Sequence, residues 1–202
     1  MTPLWQKLQS IQGSDLNWLW LPGWSFRADV FAPFFDSLPG HHWGADYLSN
    51  DCSFEAAASQ LAATAPCTDN PEGSSAIWIG WSLGGALAAA AFGGIADTKS
   101  QFLVTLATGK RFLSDETGKG MLREDFEAFS QSLTSNAETT LKRFTGLCAQ
   151  GSSEARSLIK QLKSSQHLVQ SELNRTLEWL RYEVLPPSPR SLHLYGHADA
   201  LK

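Results

Sequence analysis

The sequence is poor in cysteine, in net charge and in long apolar stretches. Its three cysteines, Cys52, Cys67 and Cys148, are widely spaced and form no C-x-x-C pair, which argues against a disulfide framework and for reduced thiols in the cytoplasm. The net charge is −4, so we expect no nucleic-acid partner. No apolar run is long enough to span a membrane, and the first residues lack a secretory signal pattern. We therefore expect a cytoplasmic protein without a membrane partner, and we expect a monomer.

The composition that remains is that of a globular protein rich in aromatic residues. Hydrophobic residues make up 43% of the 202 residues and charged residues 18%, with eight tryptophans and eleven phenylalanines. In the first half, short apolar runs alternate with helical patterns, which is typical of a parallel α/β sheet. The predicted strands are 16–21, 45–48, 76–79 and 101–107, and the predicted helices are 28–37, 53–63 (with Ser53 as N-cap) and 86–92.

The second half has a different pattern. From 112 to 184 the sequence shows helical periodicity and no strand, and a strand returns at 191–195 after a proline-rich segment. A helical block between two strands of one sheet predicts an inserted cap. We therefore predict a sheet domain from 1–110 and 186–202 and a helical cap from 111–185.

The strongest motif is Gly-Trp-Ser-Leu-Gly at residues 80–84, a G-x-S-x-G sequence between a predicted strand and an alanine-rich helix. In this context the motif is typical of a nucleophile elbow, in which Ser82 occupies a tight turn above the sheet edge. The helix that follows directs N–H groups and the positive end of its dipole towards the same point. The alternative is a tight turn with a serine that has no chemical role.

A serine nucleophile needs donors for the oxyanion and an acid to orient its base. The backbone N–H of Leu83 follows the nucleophile directly. The loop at Pro22-Gly23-Trp24 follows a central strand and offers the N–H of Trp24 as a second donor. Asp199 follows the last predicted strand, where the orienting acid of this fold belongs. A simple turn aspartate is the alternative for Asp199.

These segments resemble a known family. The elbow with its strand, Leu-Val-Thr-Leu-Ala at 103–107, Arg143-Phe144 and the segment 192–199 are similar to the pimeloyl-acyl-carrier-protein methyl ester carboxylesterases of biotin synthesis, members of the α/β-hydrolase superfamily. The resemblance runs from about Leu16 to the end. It implies an α/β-hydrolase fold, hydrolysis of the methyl ester of pimeloyl-acyl-carrier protein, and no cofactor or metal.

The resemblance also assigns roles to residues. It implies Ser82 as nucleophile, Asp199 as acid, and Trp24 and Leu83 as oxyanion donors. It implies that Trp81 lines the acyl site and that two cap residues, Phe129 and Phe144, lie near the acyl chain. Pro22 stands where the family usually has histidine, which alters the loop but keeps the donor.

Basic residues are concentrated between 139 and 170. This segment contains a single acidic residue, Glu154, and five basic ones: Lys142, Arg143, Arg156, Lys160 and Lys163. By itself this pattern is more typical of a solvated helix face than of a docking site. The resemblance favours docking of an acidic acyl-carrier protein through Arg143, Arg156 and Lys160, although Thr139 stands where a further arginine is expected.

The catalytic histidine has no obvious counterpart. In the family it lies in a loop between a further strand and a helix that come after the acid, so we expect this strand, helix and histidine to be missing here and the activity to be impaired. His197 is on the correct side of the predicted sheet but precedes Asp199. The other histidines fall elsewhere, with His41 and His42 before the second predicted strand, His167 in the cap and His193 inside the last strand.

Three functions stay open at this stage. The first is a carrier-dependent methyl esterase. The second is a serine hydrolase of other specificity, such as a thioesterase or a small-ester esterase. The third is a non-catalytic relative that binds acyl-carrier protein.

Overall fold

A computed structural model describes residues 4–66, 75–95, 98–114, 120–182 and 190–196. Its six strands form one sheet in the order β1-β3-β2-β4-β5-β6. Strand β1 is antiparallel to β3, and the other neighbouring pairs are parallel. The strands are β1 (Trp5–Ile11), β2 (Asn17–Leu21), β3 (Gly40–Ala45), β4 (Ala76–Trp81), β5 (Gln101–Leu106) and β6 (Ser191–Leu194).

Helices cover both faces of this sheet, as a mostly parallel sheet requires. In the central strands, neighbouring residues enter different buried clusters: Leu19 and Trp78 lie on one face, and Trp20 and Ile79 on the other. The helices are a 3-10 helix (Ala28–Phe31), α1 (Ala32–Phe35), α2 (Phe54–Ala63), α3 (Leu83–Gly93), α4 (Arg123–Ser135), α5 (Ala137–Cys148), α6 (Ala155–Ser164), α7 (Gln170–Glu178) and a second 3-10 helix (Trp179–Arg181).

The α/β-hydrolase fold class predicted from the sequence is confirmed, with α4 to α7 lying between β5 and β6. The Ser53 N-cap is also confirmed, because its side chain accepts a hydrogen bond from the N–H of Ala56 at 3.2 Å. The exact division into 1–110, 111–185 and 186–202 stays a prediction, and the proline-rich boundary falls outside the described residues.

Two strand predictions need correction. The strand expected at 45–48 is β3 and ends at Ala45, so His41 and His42 lie inside this strand instead of before it. Strand β1 was not predicted from the sequence. It is an edge strand whose register with β3 shifts between Lys7 and Gln9. Such an irregularity breaks the alternation by which strands are recognised.

The parallel strands β2, β3, β4 and β5 end at one edge of the sheet, where the site of such folds is built. The segments that follow them at this edge are Pro22-Gly23-Trp24 after β2, Asp46-Tyr47 after β3, Ser82 after β4 and Ala107-Thr108 after β5. Residues that are far apart in sequence are thereby brought to one side of the molecule.

Candidate active site

Ser82 stands between β4 and α3 in a strained backbone conformation. Its φ is 53° and its ψ −118°, in the left-handed half of the map that non-glycine residues rarely occupy and that costs roughly 1–3 kcal/mol. The surroundings hold this conformation, because the Ser82 N–H donates to the carbonyl of Leu106 at 2.8 Å and its own carbonyl accepts from Ala86 N–H at 3.1 Å. The backbone is therefore that of the predicted elbow.

Two glycines make this turn sterically feasible. A Cβ on Gly80 would lie 2.4 Å from Gly85 Cα, and one on Gly84 would lie 2.2 Å from the carbonyl oxygens of Leu21 and Pro22. Both obstacles are backbone atoms and cannot rotate away. Glycine at these positions thus lets α3 approach both its own strand and the loop after β2.

Thr108 supports the elbow from the segment that follows β5. Its hydroxyl lies 3.0 Å from the carbonyl of Ser82 and 3.1 Å from that of Leu106, and the side chain is almost fully buried. Thr108 also packs directly over Gly85, since a Cβ there would lie 2.0 Å from the Thr108 hydroxyl oxygen. The sequence analysis did not single out Thr108, because a lone threonine after a strand carries no recognisable signal.

The loop of Pro22, Gly23 and Trp24 lies beside the elbow and is fixed from two directions. The Tyr47 hydroxyl donates to the Pro22 carbonyl at 2.6 Å, and the Trp24 indole N–H donates to the carbonyl of Leu173 in α7 at 3.0 Å. Tyr47 and Trp24 are both buried. Burial raises the pKa of the Tyr47 phenol, and the nearby charge of Asp46 adds to the effect, so the hydroxyl stays a proton donor.

An aromatic cluster connects this loop to the cap. Trp24 makes edge contacts with Phe129 at 5.6 Å and Phe144 at 5.1 Å between ring centroids. On the other side, Phe26 stacks on Trp81 at 5.1 Å. Phe26 also stacks on Phe144 at 6.1 Å, so these five rings form one connected cluster. The resemblance places three of them, Trp81, Phe129 and Phe144, at the acyl site, and that role stays a prediction.

The four described histidines are each occupied by partners other than Ser82. His41 pairs with the Ser10 hydroxyl, and His193 with Thr105 and Ser191. His42 accepts from the Trp20 indole through Nδ1 and contacts the Leu38 carbonyl through Nε2. The imidazole of His167 pairs with Glu172. His197 and Asp199, the sequence candidates for base and acid, lie outside the described residues.

The residues predicted to dock a carrier protein lie on two cap helices. Arg143 is exposed on α5, and Arg156 and Lys160 are exposed on α6. Within the described ranges, none of these three forms an ion pair. Their charge is therefore available to solvent or to a partner.

The described segments contain neither a metal-binding cluster nor a membrane-spanning helix. No group of three or more His, Cys, Asp or Glu residues there is arranged to hold a metal ion. No described helix is long and apolar enough to cross a membrane.

Comparison with solved structures defines the class of the protein. A hydrolase from Oleispira antarctica matches 98% of this chain and 77% of its own, with a TM-score of 0.72 and 15% sequence identity. An esterase from Exiguobacterium antarcticum matches 89% of this chain and 69% of its own, with a TM-score of 0.67 and 14% identity. Together with the sheet order and the elbow at Ser82, these matches establish an α/β-hydrolase fold.

Sequence comparison places the chain within that class. A pimeloyl-[acyl-carrier protein] methyl ester esterase from Vibrio atlanticus is 33% identical over 94% of this chain and 78% of its own length. The corresponding esterase from Vibrio vulnificus is 32% identical over 76% of this chain, and the match spans 60% of that relative's length. No family model matches the sequence. The chain belongs to the family of pimeloyl-[acyl-carrier protein] methyl ester esterases.

Proposed function

We propose that this chain carries the serine esterase chemistry of its family, with Ser82 as nucleophile. The supporting observation is the strained Ser82 backbone at the start of α3, beside the loop that carries Trp24. The serine oxygen attacks the ester carbonyl, and the N–H groups of Leu83 and Trp24 stabilise the oxyanion. The bond to methoxide breaks, and methanol leaves with the proton of the Ser82 hydroxyl. Water then hydrolyses the acyl-enzyme, which releases the acid and restores the hydroxyl.

We further propose Asp199 as the acid that orients the base. The four described histidines contact groups other than Ser82. The base must therefore be identified by experiment. His197 is the remaining histidine of the sequence. An enzyme of this type without its base retains roughly 10³- to 10⁴-fold acceleration over water, from the oxyanion donors and substrate binding.

The proposed substrate is the methyl ester of a pimeloyl group carried by acyl-carrier protein, in biotin synthesis. Two arguments support this choice. The relatives bear that name, and the rings of Trp24, Phe129 and Phe144 form an apolar contact between the loop after β2 and the cap, which suits an apolar acyl chain nearby. Arg143, Arg156 and Lys160 would hold the acidic carrier, because opposite charges steer association.

The nucleophile is tested with a fluorophosphonate probe and short p-nitrophenyl esters. We expect labelling and weak turnover in the wild type, and the loss of both in Ser82→Ala. His197→Ala, compared with His41→Ala as a matched control, identifies the base by selective loss of turnover. A wild type that is not labelled but still binds acyl-carrier protein would instead identify a non-catalytic carrier-binding relative.

The carrier specificity needs a separate experiment. Charge reversal of Arg143, Arg156 and Lys160 to Glu should raise KM for the carrier-linked ester by roughly 10-fold or more, and leave KM for a small ester unchanged. Lys7→Glu, which alters the same charge on β1, serves as the control. Equal hydrolysis of free and carrier-linked esters by all variants would show a hydrolase of other specificity.

A further inference from the structure

The loop that carries Trp24 pairs directly with a loop of the cap. Phe26 and Gln166 form an isolated antiparallel bridge. The Arg27 N–H donates to the Ser165 carbonyl at 2.8 Å, and the His167 N–H donates to the Ser25 carbonyl at 2.8 Å. Residues 25–27 and 165–167 thus form a short backbone ladder between sheet domain and cap helices, which we call the cap ladder.

The side chain of Arg27 strengthens the cap ladder. Its guanidinium donates to the carbonyls of Ser164 at 2.8 Å and Gln166 at 2.9 Å. Helix α6 ends at Ser164, and the last carbonyls of a helix lack intrahelical partners and carry the negative end of its dipole. Arg27, which follows the loop after β2, therefore caps the C-terminal end of α6.

Ser25 shows that this part of the loop depends on its surroundings. Its φ is 69°, a conformation that is unfavourable for a residue with a side chain. Ser25 is completely buried, and its hydroxyl finds no hydrogen-bond partner among the described residues. The Ser25 carbonyl accepts a hydrogen bond from the N–H of His167, and this bond ties Ser25 to the cap.

The Trp24 N–H, the proposed oxyanion donor, lies between two points of attachment, one to the sheet domain and one to the cap. On its N-terminal side, Pro22 is held by Tyr47, a residue of the sheet domain. On its C-terminal side, Ser25 and Arg27 are held by the cap ladder, and the indole of Trp24 itself is held by Leu173 of α7. The direction of the Trp24 N–H thus depends on the cap as well as on the sheet.

We propose that Arg27 and the backbone of residues 164–167 are positioning elements of the oxyanion hole, acting through the Trp24 N–H. This inference rests on the proposed role of Trp24 in catalysis. Positioning errors of about 1 Å cost up to about 100-fold in rate, and loss of a whole donor costs about 10²–10³-fold. We therefore expect loss of the cap ladder to lower kcat roughly 10- to 100-fold with little change in KM.

Two pairs of variants separate backbone from side-chain effects. Arg27→Gln removes the positive charge and shortens the side chain. Arg27→Lys retains a charged donor and should keep part of the activity. His167→Pro removes the N–H that binds Ser25, whereas His167→Ala keeps that N–H and loses the imidazole. Arg123→Gln, an exposed arginine at the start of α4, controls for loss of charge on the cap. Circular dichroism and thermal unfolding establish that each variant is folded.

The readouts are kcat and KM for a p-nitrophenyl ester and the NMR resonance and hydrogen exchange of the Trp24 amide. The expected result is a lower kcat in Arg27→Gln and His167→Pro, together with faster exchange at Trp24 and unchanged exchange at Leu83. An unchanged kcat in folded Arg27→Gln would overturn the proposal. A wild type without turnover would contradict the proposed function. In that case the Trp24 amide tests this inference alone: if neither Arg27→Gln nor His167→Pro changes its resonance or its hydrogen exchange, the inference is refuted.

Discussion

The elbow at Ser82 and the loop at Trp24 serve the same proposed oxyanion but are held in place by different means. The elbow depends on the glycines of residues 80–85 and on the start of α3, and hydrogen bonds to Leu106 and Thr108 support it. The loop is held by partners 25 residues away at Tyr47, 139 at Gln166 and 149 at Leu173. The elbow thus depends mainly on a local motif and the loop mainly on distant partners, so substitutions should affect the two donors separately.

The largest loss of stability is expected at the elbow, from the substitution Gly84→Ala. Gly84→Ala would place a Cβ 2.2 Å from two backbone oxygens, and neither oxygen can move without displacing β2 or its loop. We expect a loss of roughly 3–5 kcal/mol in the free energy of unfolding, measured by chemical denaturation.

A matched glycine in the cap provides the control. Gly146 lies in α5 with nothing within 4 Å of its added Cβ. Gly146→Ala should therefore stabilise the protein by about 0.5–1 kcal/mol through helix propensity. If Gly84→Ala were as harmless as Gly146→Ala, the elbow would not depend on close backbone approach.

The second effect tests the long-range anchor of the loop. Tyr47→Phe removes a buried hydroxyl and leaves the buried Pro22 carbonyl without this partner. We expect a loss of about 1–3 kcal/mol in stability and a lower kcat. Tyr182→Phe, on a half-exposed ring, should change neither. Equal kcat values for the two variants would mean that Tyr47 does not influence the donor.

A smaller effect is expected at Thr108. Thr108→Val keeps the shape of the side chain and removes the hydrogen bond to the Ser82 carbonyl, which still accepts from Ala86. The expected cost is about 0.5–1.5 kcal/mol, with slower fluorophosphonate labelling of Ser82. Thr108→Ser should label at the wild-type rate, and slow labelling of both variants would assign the effect to packing instead.

The smallest effect at neutral pH concerns His42, which lies in β3 away from both regions. Burial lowers the pKa of this imidazole below 6.5, and the neighbouring His41 lowers it further. Because the unfolded chain takes up the proton first, stability should decrease as the pH falls through about 6.5 and level off below the folded-state pKa. His42→Gln should flatten this part of the pH profile of the melting temperature. An equally steep profile in the variant would exclude His42 as the source.

The comparison of the elbow with the loop also explains which predictions from sequence succeeded. The strand before Ser82 and the helix after it were predicted because their signals are contiguous: an apolar strand, two glycines and a run of alanines. Strand β3 was misplaced because Gly40-His41-His42-Trp43 has no β-branched residues. His42 is tolerated there only by its hydrogen bonds to Trp20 and Leu38, and these contacts are invisible in the sequence.

The sequence by itself determined the class of fold and the elbow, because alternating apolar segments and close-packed glycines act over a few neighbouring residues. It also supplied the candidates Trp24, Trp81, Phe129 and Phe144, without showing how they contact one another. Only the tertiary structure decided that Tyr47, Thr108, Arg27 and residues 164–167 support the site. Their hydrogen bonds join segments up to about 140 residues apart, and such pairs arise from the packing of cap on sheet, which no local pattern encodes.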